Sequence, residues 1–108
     1  MPHLPAIPVY IHPEEAGIIL EKPLGKRLFR APGLELVSLR LEPGESLPLH
    51  INHQPVVFMV QRGRVELLLE KTTRHMDSPE GVYLPAGLPR GWNNPFGEPA
   101  DLMVIKWQ

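Results

Sequence analysis

The residues of this chain that carry the chemistry of a site fall in two short stretches. His50-Ile51-Asn52-His53 puts two imidazoles around a carboxamide, and Arg90-Gly91-Trp92 puts a guanidinium two residues from an indole. Neutral imidazole is a ligand for divalent transition metals. A guanidinium does not lose its proton, so it cannot ligate a metal, but it holds a carboxylate or phosphate by a two-pronged hydrogen bond. The remaining histidines, His3, His12 and His75, stand apart without ligand spacing and read as surface residues. Nucleophilic chemistry finds little material: there is no cysteine, and Ser38, Ser46 and Ser78 lie in no nucleophile elbow. No glycine-rich phosphate loop is present, and the pair Glu14-Glu15 reads as solvated.

The elements that must position these groups are short. In 108 residues, 14 are proline and none is cysteine, so the expectation is one domain with one core and no disulfide framework. Proline makes up about 13% of the chain, against roughly 5% in average usage. The prolines are scattered singly, which breaks helices and leaves space mainly for strands. From Leu34 the period is two: Val37, Leu39 and Leu41 alternate with Ser38 and Arg40, as on a strand with one buried face. Further strands are expected at Leu47 to Asn52, Val56 to Gln61, Arg64 to Glu70, Thr73 to Met76, Val82 to Pro85, Arg90 to Asn93 and Asp101 to Trp107. Glu42-Pro43-Gly44-Glu45, Arg62-Gly63, Ser78-Pro79-Glu80-Gly81 and Ala86-Gly87-Leu88-Pro89 read as turns between them. Residues 1–33 read as a proline-punctuated arm with short extended pieces at Val9 to Ile11, Ile18 to Leu20 and Arg27 to Phe29. Residues 34–108 read as the core. The arm's apolar residues need a surface, either the chain's own barrel or a second subunit.

Net charge is −1, with 11 basic and 12 acidic residues, which removes the field that non-specific binding to nucleic acid or an anionic membrane requires. Lys26-Arg27 with Arg30 is too small a basic group to change this and reads as surface. The N-terminal residues carry no leader pattern, and no apolar run approaches a membrane span, so a cytoplasmic protein is expected.

Two stretches resemble the cupins, small jelly-roll β-barrels of the double-stranded β-helix type. The first cupin motif is G-x5-H-x-H-x3-E-x6-G, and Gly44, His50 and Gly63 fall on its spacing. The second is G-x5-P-x-G-x2-H-x3-N, and Pro85, Gly87 and Asn94 fall on that. The likeness covers residues 34 to 107 and implies an all-β cupin barrel with an N-terminal arm, of the single-domain conserved-barrel kind, that pairs as a homodimer. It also implies a metal site at the motif's three histidines and glutamate. Those positions hold His50, Asn52, Val56 and Arg90, so the site is degenerate. His53 would ligate beside His50 only if a bulge at Ile51-Asn52-His53 brought both rings inward, because i and i+3 face opposite sides of a regular strand.

Two functions follow. In the first, the barrel binds a small anionic or amphipathic molecule without a metal, beside His50, Asn52, Phe58, Arg90 and Trp92. In the second, the chain is a metal-dependent oxygenase, isomerase or lyase that uses His50 and His53 to hold Fe, Mn, Ni, Zn or Cu. The charge at the ligand positions favours the first, and whether the protein is an enzyme stays open. Phe58 and Trp92 equally suit ordinary core, in which case the barrel is filled and serves as an interaction unit.

Overall fold

A computed structural model describes residues 4–108. After one turn of 3₁₀ helix at Pro13–Glu15, ten strands follow: β1 Gly17–Leu20, β2 Leu24–Ala31, β3 Leu34–Leu41, β4 Ser46–His50, β5 Val56–Arg62, β6 Arg64–Leu69, β7 Thr73–Asp77, β8 Gly81–Leu84, β9 Arg90–Asn93 and β10 Ala100–Trp107. All pair antiparallel, in a six-stranded sheet of order β1-β2-β3-β10-β5-β8 and a four-stranded sheet of order β4-β9-β6-β7. The expected all-β jelly-roll is present, as two facing sheets that do not close into one ring. Among the described residues no helix is long and apolar enough to cross a membrane.

The alternation read in Leu34 to Leu41 fixes the core. Val37, Leu39 and Leu41 lie opposite Val104, Leu102 and Ala100, which in turn oppose or flank Phe58 and Val60. All eight are buried, and they meet Val65, Leu67, Met76 and Trp92 from the other sheet. The turn glycines are also as expected: Gly44, Gly63 and Gly87 adopt positive φ of 86°, 80° and 82°. At Gly63 a side chain is excluded twice, because a Cβ would also stand 2.5 Å from the Pro99 carbonyl oxygen.

The arm differs from its reading. Val9 to Ile11 is not a strand: Pro8 and Pro13 interrupt its donors, and residues from Leu4 to Ile11 instead border a shallow groove with Phe29, Leu34 and Leu36 on the outer face of the large sheet. From Gly17 onward the arm is part of that sheet, since β2 pairs with β3 over its length and β1 forms the edge.

Among the described residues two polar side chains are buried, Arg90 and Asn94. Asn94 is fully satisfied. Its Nδ2 donates to the carbonyls of Leu41 (2.9 Å) and Glu98 (2.8 Å), and its Oδ1 accepts from the Phe96 amide (3.0 Å). Its backbone closes on the 42–45 turn through Gly44 and Glu45. Asn94 therefore knots three segments together. Replacing it with leucine should cost about 3 kcal/mol, one for each bond lost, because each bond leaves a buried or part-buried backbone group without its partner. Urea denaturation checks this, and Asn94→Leu as stable as wild type would contradict it.

Candidate functional site

Arg90 opens β9 after the Pro85-Ala86-Gly87-Leu88-Pro89 breaker, and Trp92 follows on the same face. Both point inward and are 1% exposed. Trp92 packs edge-on against Phe58 with ring centroids 4.9 Å apart, so these two residues fill the core between the sheets. Arg90 is held poorly. Its Nη1 donates to the Leu88 carbonyl at 3.4 Å, while Nε and Nη2, together with the Trp92 indole nitrogen, have no partner. Among the described residues no carboxylate pairs with it. Burial pushes its pKa below the ordinary arginine value, yet an arginine side chain stays cationic. Three donors, two of them on the one guanidinium, thus lie unsatisfied on the inward face of β9. A buried charge without a partner costs several kcal/mol, and an acceptor from outside the chain would relieve it.

A bulge sets the strand beside it. Leu47 pairs with Trp92 and His50 with Arg90, so Pro48 and Leu49 together oppose the single residue Gly91. A bulge at Ile51-Asn52-His53, which would turn both imidazoles inward, is not the one found: the bulge lies at Pro48-Leu49, three residues before Ile51, where Pro48 has no donor for the ladder. His50 is thereby placed opposite Arg90, but its ring is exposed and its Nδ1 lies 3.0 Å from its own Pro48 carbonyl. His53 is exposed as well. Asn52 is half-buried, and its carbonyl accepts from the Gly87 amide at 2.8 Å, which closes the 51–55 loop against the 85–89 loop beside Arg90.

Beyond this closure lies a groove of about 830 Å³ at the end of the barrel where β5 begins. Asn52 and His53 line one side; Arg27, Arg30, Glu35 and Lys106 line the other. The register explains the second group. Arg30, Glu35, Lys106 and the buried Val56 form one row across four strands, so all four face the barrel interior. A second bulge, at Leu28, shifts the register of β2 so that Arg27 also falls on this face, opposite Val37. Arg27 Nε reaches Glu35 Oε2 at 2.7 Å, and Lys106 Nζ lies 3.9 Å from Oε1. Arg27 and Arg30 are exposed, as the sequence suggests; what it does not show is that they share a groove with Lys106. On a regular strand i and i+3 diverge, and nothing in the β2 residues marks Leu28 as the extra one.

The donor set does not fit the metal that the resemblance implies. Val56 brings no ligand atom and Arg90 a fixed cation, and among the described residues no three His, Cys, Asp or Glu side chains gather. His50 and His53 have no third such partner.

Comparison with known proteins agrees with this architecture. Among solved structures, the polyketide cyclase RemF from Streptomyces resistomycificus is similar at a TM-score of 0.82 and 19% identity, over 94% of this chain and 80% of that one. A Cupin 2 conserved barrel domain protein from Salinispora arenicola gives 0.76 and 22%, over 98% and 90%. A sugar phosphate isomerase from a cupin superfamily, from Silicibacter pomeroyi, gives 0.71 and 23%, over 79% and 59%. At such identities the likeness is one of fold. No curated protein matches the chain. The family model described as "Cupin domain" matches residues 37–106, the span from the first core residue of β3 to the charged row at the end of β10, and so the chain belongs to the cupin domain family.

Proposed function

We propose that this protein binds a small anionic or amphipathic molecule inside its barrel, with the Arg90 guanidinium receiving the ligand's carboxylate or phosphate in place of a cupin metal. The observation that carries this reading is the buried guanidinium, whose Nε and Nη2 have no partner, as the indole nitrogen of Trp92 on the same face of β9 has none. Leu47, Leu69 and Leu88 pack around the same core and suit the apolar part of an amphipathic ligand. Entry requires the 51–55 and 85–89 loops to part. The single Gly87–Asn52 backbone bond that joins them is worth about 1 kcal/mol net, which a ligand's charge-assisted bonds exceed. RemF and the Silicibacter pomeroyi isomerase, by their names, act on small molecules, consistent with a barrel used as a pocket.

The test is calorimetric titration of wild type and Arg90→Lys with monocarboxylates of increasing apolar size. Lysine keeps the charge but loses the fork, so affinity should fall about tenfold or more. Equal binding by both proteins would sink the reading. Elemental mass spectrometry on tag-free protein covers the metal-dependent alternative: about one metal per chain, lost in His50→Ala, would replace an anion site by a His50/His53 metal site.

We also propose that the molecule is a homodimer joined through the outer face of the large sheet. Phe29, Leu36, Ile105, Val57 and Tyr83 form an apolar row across five strands there, and Ile7, Tyr10 and Ile18 beside it stay exposed. Such a face is self-complementary about a twofold axis. Sedimentation should give a dimer for wild type and a monomer for Val57→Glu; a wild-type monomer at micromolar concentration would end the idea.

A further inference from the structure

The groove at the open end of the barrel is separate in its side chains from Arg90, and its charge is unbalanced. Arg27, Arg30 and Lys106 bring three cationic side chains to it, while Glu35 is its one side-chain carboxylate. Both oxygens of Glu35 are engaged, one by Arg27 and the other facing Lys106. Arg30 has no ion pair among the described residues. The side-chain charge of the groove is therefore +2, apart from His53, in a protein whose net charge is −1.

We propose that this groove is an anion-binding subsite for a doubly charged phosphoryl group, held by the guanidiniums of Arg27 and Arg30 with the Lys106 ammonium. Three features support a site over a scatter of surface charge. The cations converge because of the fold: the register row brings Arg30 and Lys106 onto the interior face, and the Leu28 bulge adds Arg27, which a regular strand would turn outward. Glu35 holds Arg27 in place through a 2.7 Å ion pair, and this lowers the ordering cost that long side chains otherwise pay on binding. Two planar forks and a point charge match the three terminal oxygens of a phosphoryl dianion, which would neutralise the +2 excess. Asn52 lines the groove and is tied to Gly87, so a molecule seated here abuts the loops that close over Arg90.

The experiment is titration with inorganic phosphate, followed by amide chemical shifts, of wild type, Arg30→Gln and Arg90→Met at low and moderate salt. Arg30 is exposed, so its substitution leaves the core intact. The expected result is saturable binding by wild type that weakens with salt, and an affinity about tenfold lower in Arg30→Gln. Retention of phosphate binding by Arg90→Met would place the groove apart from the Arg90 pocket; loss in both variants would make the groove one end of a single site. Either supports the subsite. Phosphate binding unaffected by Arg30→Gln, or no binding by wild type, overturns it. In the first of these cases, loss in Arg90→Met alone would still leave the Arg90 reading standing.

Discussion

Arg90→Met should raise the melting temperature of the ligand-free protein and, in the same variant, abolish its stabilisation by small carboxylates. Methionine has nearly the length of arginine without its charge, and Arg90 stands 1% exposed with two nitrogens unpartnered. Replacing a buried ion by an apolar side chain of similar volume stabilises by about 1–3 kcal/mol even when the ion is paired, and here no carboxylate offsets its desolvation. In a domain of this size that is a rise of roughly 4 °C or more. Ligand linkage runs the other way: wild type gains stability as a carboxylate is added, while the variant does not respond. Differential scanning calorimetry with and without acetate or benzoate reads both effects. A variant markedly less stable than wild type would mean that Arg90 is already compensated, and the case for an anion would lose its ground. Asn94 is the opposite case. Both residues are buried and polar, but every side-chain group of Asn94 is satisfied from within the protein, so removing it should only subtract.

What the sequence revealed and what it concealed divide along the regularity of the strands. Where β3 and β10 pair without interruption, and β5 joins them in regular register from Val56 to Val60, parity alone identifies the inward residues, and Val37, Leu39, Leu41, Phe58 and Val60 are buried as the alternation requires. The same parity places Arg90 and Trp92 on one inward face of β9. It also overreaches beside them. His50 lies opposite Arg90 because of a bulge and not because of a regular register, and its ring is exposed at the barrel end. Bulges depend on how two strands meet, which a single strand's residues do not state. For β4 a hint existed, since Pro48 lacks a ladder donor and Gly91 offers the space opposite. For β2 there was none, so the approach of Arg27 and Arg30 to Lys106 was hidden in two strands far apart in the sequence. The apolar arm was legible as something needing cover, but not as two parts: a crossing piece broken by proline up to Ile11, and a pair of strands from Gly17 that extends the sheet.

Gly91→Ala should be among the most damaging single-methyl changes in the chain. The glycine is buried between Arg90 and Trp92, and the β4 bulge lies directly over it. A Cβ there would collide with the Leu47 carbonyl oxygen and stand 2.9 Å from the Pro48 carbonyl carbon and 3.0 Å from the Leu49 nitrogen. All three are backbone atoms, so no rotamer change relieves the clash, and β4 must move off β9. Forcing volume into such a contact costs about 2–3 kcal/mol, a fall of roughly 10 °C in melting temperature. Gly97→Ala is the control, because a Cβ at Gly97 meets nothing within 4 Å; its stability should stay within about 0.5 kcal/mol of wild type. The displacement also carries a functional effect. β4 leads into the 51–55 loop, whose Asn52 carbonyl holds Gly87 and whose side chains border the cationic groove. Moving β4 therefore loosens the closure over Arg90 while leaving the guanidinium present. Carboxylate affinity measured well below the new melting temperature should weaken in Gly91→Ala and stay unchanged in Gly97→Ala. A Gly91→Ala protein as stable as wild type would show that β4 does not press on β9, and the bulge would then have no part in shaping the site.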